Sequence, residues 1–280
     1  MAVDTDLAME IFDDERENGG ELSGVSCKKT FDEPSHFEIT EIDILTEAAA
    51  KRLKKPVGRY ITLEAQQPLY EYSPYFGAQC AAAARALSRV CEGRGAVLFF
   101  GLGNRRITPD SVGALAADRV FATRHIKRLS QELDTDELGE LSVISAGVLA
   151  QTGIESAELA SAVCRQLAPS QVIVCDALAC SEPSHMGRTI QLCSTGISPG
   201  SGVDNARAEL SEKTLGVPAA AIGVPTVSRI MSGDSRFEGL LVTPKPVDKL
   251  VLRAAELIAA AVNLYLHPTL TADEINSLIM

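Results

Sequence analysis

Two aspartates, Asp110 and Asp176, have the surroundings that best suit catalysis. Asp176 ends an apolar run of strand length, and Asp110 follows a second such run after a short loop containing two glycines. Thr108 suits a helix N-cap and Pro109 the first helical position, which would place Asp110 in the first turn of a helix. In open α/β sheets, ligands bind at the carboxyl ends of the strands. We therefore expect both carboxylates to emerge at one edge of a sheet.

Two neighbouring carboxylates cannot both ionise cheaply, so such a pair holds a single proton and supplies one acid and one base. That arrangement activates water for the hydrolysis of a peptide bond. Two alternatives stay open at this point: two unrelated structural aspartates, or a metal ion bound by both aspartates and a histidine. The chain has no GxSxG motif that would indicate a serine hydrolase. Alternation along the strand turns Cys175 away from Asp176 and predicts a buried, inert thiol.

The apolar patterns around these residues predict an α/β fold. A mostly parallel central sheet, flanked by helices, follows from the alternation of strand-like and helix-like segments. We expect the chain to divide into an N-terminal arm, residues 1–35, and a single catalytic domain, residues 36–280. The strand-like segments are 36–44, 59–65, 96–100, 141–146, 171–176, 188–194 and 219–224, and the helix-like segments are 77–90, 154–167 and 247–266.

Composition narrows the classes of function. The 280 residues carry a formal net charge of -11, which disfavours direct binding of nucleic acid because phosphate contacts need clustered Lys and Arg. The seven cysteines form no CxxC pair, which argues against a zinc module and a disulfide framework. No stretch has the apolar length of a membrane span, and the acidic N-terminus lacks the basic start of a secretory signal. A cytoplasmic protein with no cofactor and no metal is expected.

Several ordered motifs resemble those of the germination protease family, the spore endopeptidases that degrade small acid-soluble spore proteins. The motifs run through most of the chain: GRYITLEAQ at 58–66, GLGN and ITPD within 101–110, AGVLAQTGIESAE at 146–158, VIVCDALA at 172–179, TGISPGSGV at 195–203, TLGVPAAAIGVPTV at 214–227 and VTP at 242–244.

The resemblance implies an atypical aspartic-type endopeptidase with a fold related to hydrogenase maturation proteases. The two essential aspartates of the family fall on Asp110 and Asp176. The resemblance also implies a homotetrameric zymogen, located in the cytoplasm of the forespore or spore core, that removes its own N-terminal segment. Here the matching stretch places that cut between Asp6 and Leu7, after a propeptide of residues 1–6. The residues expected to line the cleft are Asn104, Thr195, Gly196, Gly200, Ser201 and Gly202.

This chain departs from the family pattern at two positions of one motif. Ser194 and Ser198 stand where the family usually has Asp and His. Two other functions therefore remain as alternatives: a metal-dependent maturation-type peptidase that uses the same aspartates as ligands, and a non-catalytic binder of small spore proteins.

Overall fold

A mixed sheet of nine strands forms the centre of the protein in a computed structural model that describes residues 5–19, 22–93, 95–129, 138–203, 207–229 and 239–279. The strands are β1 (Val25–Asp32), β2 (Phe37–Ile44), β3 (Gly58–Ala65), β4 (Val97–Leu102), β5 (Leu141–Gly147), β6 (Gln171–Cys180), β7 (Thr189–Cys193), β8 (Ala219–Arg229) and β9 (Leu241–Val242). Their order across the sheet is β1-β2-β3-β7-β8-β6-β4-β5, with β9 paired to β8.

The α/β class predicted from the sequence is confirmed, but the sheet is mixed rather than mostly parallel. Three strand pairs are parallel, β4 with β5, β4 with β6, and β6 with β8. The other five pairs are antiparallel. The link from β6 to β7 covers only residues 181–188, which is too short for the helical crossover that a parallel return requires. The parallel part of the sheet is therefore confined to β5, β4, β6 and β8.

Helices cover both faces of the sheet. They are α1 (Ala8–Gly19), α2 (Glu47–Leu53), α3 (Phe76–Val90), α4 (Val112–Ala117), α5 (Arg124–Leu129), α6 (Leu149–Thr152), α7 (Ser156–Leu167), α8 (Glu212–Leu215), α9 (Val247–Leu266) and α10 (Ala272–Ile279). One core contains side chains of α3, α4 and α9, and a second core on the opposite face contains side chains of α1, α2 and α7. Within the described residues, no helix has the length and apolar character to cross a membrane.

Strand β4 shows how the sequence produces these two cores. All six of its residues are buried, which explains why it reads as a continuous apolar run. Successive side chains point to opposite faces of the sheet, so Phe99 packs into the core beneath α9 and Phe100 into the core beneath α7.

The loop that carries Asp110 lies tightly against the sheet. Asp110 ends a single 3-10 turn, Thr108–Asp110, and α4 begins two residues later. The turn has Pro109 in its first positions, but its N-cap residue is Ile107 and not Thr108, so the predicted N-cap is wrong. The α-helix itself starts only after Asp110, at Val112. Gly113 allows the close approach: a Cβ there would lie 2.2 Å from the carbonyl oxygen of Cys175 in β6. This contact places the Asp110 turn beside the strand that carries Asp176.

The N-terminal arm is less peripheral than the sequence predicts. Leu7 is fully buried, and Ala8, Met9 and Phe12 of α1 contribute to the core. Further along the arm, β1 pairs with β2 along its whole length and extends the sheet. The sequence did not predict this burial, because the apolar residues of the arm are few and clustered in one short segment and so give only a weak periodic pattern. The predicted boundary at residue 35 stays a prediction.

Candidate active site

Asp110 sits in the loop after β4, where one backbone group holds its carboxylate. The N–H of Asn104 donates to Oδ2 of Asp110 over 2.8 Å. Burial raises the pKa of the Asp110 carboxyl, although the Asn104 N–H opposes that rise. The side-chain oxygen of Asn104 is occupied elsewhere, because it accepts from Nε2 of Gln151 over 2.6 Å. Asn104 therefore acts on the site through Asp110.

Asp176 lies on β6 and is only 6% exposed. Burial raises its pKa well above the usual range, and the nearby carboxylates of Asp110 and Asp6 raise it further. The N–H of Ala177 donates to Oδ1 of Asp176 over 2.9 Å and opposes the rise. The structure thus places Asp110 and Asp176 within electrostatic reach of each other. The prediction that Asp176 ends its strand is wrong, because β6 continues to Cys180 and keeps pairing with β8 beyond Asp176. In this pair Asp176 favours the protonated form and Asp110 is the more readily ionised partner.

Cys175, the neighbour of Asp176 on β6, is fully buried and does not share the site. Burial raises the pKa of its thiol well above the usual range, so the thiolate that a nucleophile requires is disfavoured. This agrees with the inert cysteine expected from strand alternation.

Asp6 is bound by the end of β6 and by the loop that follows β7. The Asp6 N–H donates to the carbonyl oxygen of Ala179 over 2.9 Å, and the Ala179 N–H donates back to Oδ2 of Asp6 over 2.9 Å. The hydroxyl of Ser201 donates to the other carboxylate oxygen over 2.7 Å. Gly202 backs directly onto this carboxylate, since a Cβ there would lie 2.6 Å from Oδ2 of Asp6. Three hydrogen bonds and a close glycine thus fix the Asp6 side chain and backbone.

The peptide group between Asp6 and Leu7 is held by two further side chains. Its carbonyl oxygen accepts from Nε2 of Gln191 over 2.7 Å and from Nζ of Lys55 over 3.0 Å. Oε1 of Gln191 also accepts from the N–H of Ala8 over 2.6 Å, so Gln191 contacts the chain on both sides of Leu7. Two donors on one carbonyl oxygen are the arrangement that stabilises the negative charge formed there during attack on the carbonyl carbon.

Neither Lys55 nor Gln191 was predicted as a site residue. Lys55 belongs to the basic run of residues 51–55, which reads as a solvated helix face, and Gln191 lies in the middle of an apolar strand. A buried Gln within a strand was the available signal, because a buried polar side chain needs a partner.

Leu7 fills an apolar pocket beside Asp6. The pocket is formed by Leu178 and Cys180 of β6, with Met186 and Ile197 at its border. The two residues at the predicted cut therefore have different surroundings. Hydrogen-bond donors bind the Asp6 side chain, and apolar side chains surround Leu7.

The predicted cleft residues divide into two sets. Thr195, Gly196 and Ser201 line a groove of about 390 Å³ that also contains Asp6, whereas Asn104, Gly200 and Gly202 do not line it. Asp110 and Asp176 lie outside the lining of this groove as well. The groove therefore lies on the Asp6 side of the bond.

The two serines that depart from the family motif have separate surroundings. The hydroxyl of Ser194 accepts from the N–H of Arg59 over 3.0 Å and links the end of β7 to the start of β3. Ser198 lines the groove beside Asp6.

The described residues contain no group of three or more His, Cys, Asp or Glu side chains arranged to hold a metal ion. His185 contacts the N-terminal segment, where its Nδ1 is hydrogen-bonded to Oε1 of Glu10.

Comparisons with known proteins agree on one family. A sequence model described as germination protease matches residues 2–236. The chain is 35% identical to a germination protease of Clostridium tetani over 324 aligned positions that cover 99% of both proteins. It is 34% identical to one of Caldanaerobacter subterraneus, over 100% of this chain and 98% of the relative. It is 37% identical to one of Bacillus cytotoxicus, over 81% of this chain and 63% of the relative.

Among solved structures, the chain is similar to a hydrogenase maturation protease, HycI, from Thermococcus kodakarensis. The sequence identity is 21% and the TM-score is 0.38, over 63% of this chain and 98% of that one.

Proposed function

The chain belongs to the germination protease family, whose members are endopeptidases of spore germination, and from this membership we propose a specific reaction and substrate for it. The protein is a zymogen that cuts its own chain between Asp6 and Leu7 and then starts the degradation of small acid-soluble spore proteins. Asp110 and Asp176 carry out the hydrolysis by an aspartic-type mechanism.

One observation carries this proposal: the Asp6–Leu7 peptide group is held as a substrate would be held. Its carbonyl oxygen has two donors, Lys55 and Gln191. The Asp6 carboxylate raises the pKa of Asp176. Leu7 packs against Leu178, which lies two residues after Asp176 on β6. The Asp6 side chain is held by hydrogen-bond donors, and the Leu7 side chain lies in an apolar pocket.

The chemistry follows from the protonation states of the pair. Ionised Asp110 takes a proton from a water molecule as the water oxygen bonds to the Asp6 carbonyl carbon. Lys55 and Gln191 stabilise the negative charge that develops on the carbonyl oxygen. Protonated Asp176 gives its proton to the Leu7 nitrogen as the carbon–nitrogen bond breaks, which leaves a carboxylic acid on Asp6 and an amine on Leu7. Transfer of one proton from Asp110 to Asp176 restores the starting state.

The substrate and the assembly belong to the same proposal. Small acid-soluble spore proteins are the substrate and a homotetramer in the cytoplasm of the spore compartment is the working form, as the family resemblance implies. The N-terminal segment supports the substrate, since it presents an acidic residue before the bond and apolar residues after it.

The direct test is cleavage of a purified small acid-soluble spore protein by the wild type and by Asp176→Asn. Loss of one of the two carboxylates removes the acid of the pair, and we expect a rate at least about 100-fold lower. Asp248→Asn, at an exposed position in the first turn of α9, is the matched control and keeps the wild-type rate. Thermal unfolding of each variant shows whether the fold is intact. Substrate that stays whole with the wild type favours a non-catalytic binder, and cleavage that survives Asp176→Asn removes Asp176 from the mechanism.

A further inference from the structure

The turn that carries Asp110 is hydrogen-bonded to β8 by a side chain that takes no part in the proposed chemistry. The hydroxyl of Thr226 donates to the carbonyl oxygen of Pro109 over 2.7 Å. Thr226 is only 1% exposed. Among the described residues, no other group donates a hydrogen bond to this oxygen. The carbonyl group that precedes Asp110 therefore depends on one buried hydroxyl for its hydrogen bond.

Thr226 lies at an irregularity in the pairing of β8 with β6. Pro225 is the residue opposite Leu178. The next residue of β6, Ala179, is opposite Val227. Thr226 is thus the extra residue of a β-bulge and has no partner of its own on β6. Bulges of this kind redirect a side chain and are over-represented beside active sites.

Alternation along β8 explains which face of the sheet the Thr226 side chain occupies. Ile222 and Val224 pack into the core that contains α4, and side chains two residues apart share one face of a strand. Thr226 continues that face to the place where the turn Thr108–Asp110 lies against the sheet. An apolar residue there would leave the Pro109 carbonyl oxygen without a donor, whereas threonine supplies one.

The hydrogen bond from Thr226 orients the peptide group that joins Pro109 to Asp110. The carbonyl oxygen of this group accepts from Thr226, and its N–H donates to the carbonyl oxygen of Ile107 over 2.9 Å. A peptide group is planar, so hydrogen bonds at its two opposite ends determine the orientation of its plane. The Cα atom of Asp110 belongs to this plane, and the Asp110 side chain follows it. The N–H of Asn104 then holds the carboxylate itself.

The same bulge adjoins the residues of β6 that contact the N-terminal segment. Leu178 forms part of the apolar pocket of Leu7. Ala179 exchanges two hydrogen bonds with Asp6. The bulge therefore connects the turn that carries Asp110 with the part of β6 that holds the Asp6–Leu7 bond.

We propose that Thr226 is a positioning residue, which holds the Asp110 turn in the place from which the Asp110 carboxylate reacts. This inference rests on the proposed function, because it takes Asp110 as the base of the hydrolysis. Thr226 acts through the peptide group between Pro109 and Asp110. A displacement of about 1 Å in a catalytic group can cost about 100-fold in rate, so the loss of this hydrogen bond lowers kcat.

The test compares wild type, Thr226→Val and Thr226→Ser in the cleavage of a purified small acid-soluble spore protein. Valine has nearly the shape of threonine but cannot donate a hydrogen bond, whereas serine keeps the hydroxyl. We expect kcat to fall at least about tenfold in Thr226→Val, with KM within about twofold of the wild-type value, and Thr226→Ser to keep most of the wild-type kcat. Thr40→Val, at a buried position of β2, is the matched control and keeps the wild-type kcat. An unchanged kcat in Thr226→Val, or an equal loss in both Thr226 variants, overturns the proposal.

The pH dependence of kcat separates a displaced turn from a general loss of stability. Asp110 and Asp6 are the carboxylates that raise the pKa of Asp176. If the turn moves away from β6, Asp110 raises that pKa less. The alkaline limb of the profile, where Asp176 loses its proton, then moves to lower pH in Thr226→Val. A general loss of stability lowers the whole profile and leaves the limb in place, which contradicts the proposal.

Hydrogen exchange distinguishes failure of this inference from failure of the proposed function. A wild-type protein that cleaves no substrate counts against the proposed function, and Thr226 is then judged by amide exchange in residues 104–113, measured by mass spectrometry. We expect these amides to exchange at least about fivefold faster in Thr226→Val than in wild type or Thr40→Val. Equal exchange in all three proteins overturns the inference. If Thr226→Val does not fold, Thr226→Cys, whose thiol is only a weak donor, takes its place in both assays.

Discussion

At the scale of single residues, the site depends on two donors that meet one carbonyl oxygen. Lys55 reaches it from the end of α2, and Gln191 reaches it from the middle of β7. Gln191 also binds the N–H of Ala8, so its loss would loosen the segment as well as the oxygen. Lys55 contacts the segment through the Asp6 carbonyl oxygen. A substitution of Lys55 therefore tests the contact with this oxygen more directly than a substitution of Gln191.

We predict that Lys55→Met slows cleavage of the chain's own Asp6–Leu7 bond by about 100-fold. The methionine keeps the aliphatic stem of lysine but removes the charged donor from the carbonyl oxygen. The first-order rate constant is measured by intact mass over time. Lys51→Met, at an exposed position in α2, is the control and keeps the wild-type rate constant. An unchanged rate constant in Lys55→Met would show that this ammonium group has no part in the reaction.

The Glu10–His185 pair makes docking of the N-terminal segment depend on pH. The pKa of Glu10 is lowered from 4.5, so its contribution is present above that value and is lost as the pH falls through the lowered pKa. The pKa of His185 is raised from 6.5, so its contribution is complete below that value and is lost as the pH rises through the raised pKa. Glu64 and Glu182 also face His185 and favour its charged form.

We therefore predict that Glu10→Gln lowers the Tm most between about pH 4.5 and 6.5. The comparison is made in an Asp110→Asn background, so that the N-terminal segment stays attached throughout the scan. The loss of Tm shrinks on both sides of that window. Glu17→Gln, which is exposed, serves as a control with no such peak. A loss of Tm that is the same at every pH would exclude the ion pair as its source.

At the scale of elements, the distance between the two aspartates is set by how closely α4 lies on the sheet. Gly113 in α4 touches the backbone of β6 at Cys175, the residue before Asp176, and the turn with Asp110 immediately precedes this helix. A side chain at position 113 would push the helix and the turn away from β6.

Gly113→Ala is expected to lower the free energy of unfolding by about 1 to 3 kcal/mol, because the added methyl group has no room. It is also expected to lower the cleavage rate beyond that loss of stability, because it separates Asp110 from Asp176. Gly77→Ala in α3 is the matched control: nothing lies within 4 Å of a Cβ there, and the substitution stabilises the helix by up to about 1 kcal/mol. Chemical denaturation and a cleavage assay on both variants check this. Full activity in a folded Gly113→Ala protein would contradict this account of the spacing.

At the scale of the whole molecule, the sequence predicts the parts of the fold that have one strong pattern. The apolar runs locate β4, β6 and β8, and the 3.6-residue period locates α9, because burial on one or both faces dictates those patterns. The direction of β7 was missed, since strand direction depends on which neighbour it meets and not on its own residues. The edge strand β1 was missed because its residues are mostly exposed.

The candidate site was predictable to the same degree. Asp110 follows β4 and Asp176 lies on β6, and both strands have apolar runs that the sequence reveals; their parallel pairing brings the two residues to the same part of the sheet. Lys55 and Gln191 reach the site only through the packing of α2 and β7 around the N-terminal segment, and no local pattern carries that information. The burial of Leu7 likewise cannot be predicted from the local sequence, because the residues of its pocket come from distant parts of the chain.

The central claim is that Asp110 and Asp176 together hydrolyse the bond after Asp6, and the mass of the full chain after incubation tests it most directly. The account predicts that wild type and Asp248→Asn lose residues 1–6 and begin at Leu7, while Asp110→Asn and Asp176→Asn, both folded, keep the full mass. A new N-terminus at Leu7 in either aspartate variant, formed at the wild-type rate, would contradict it.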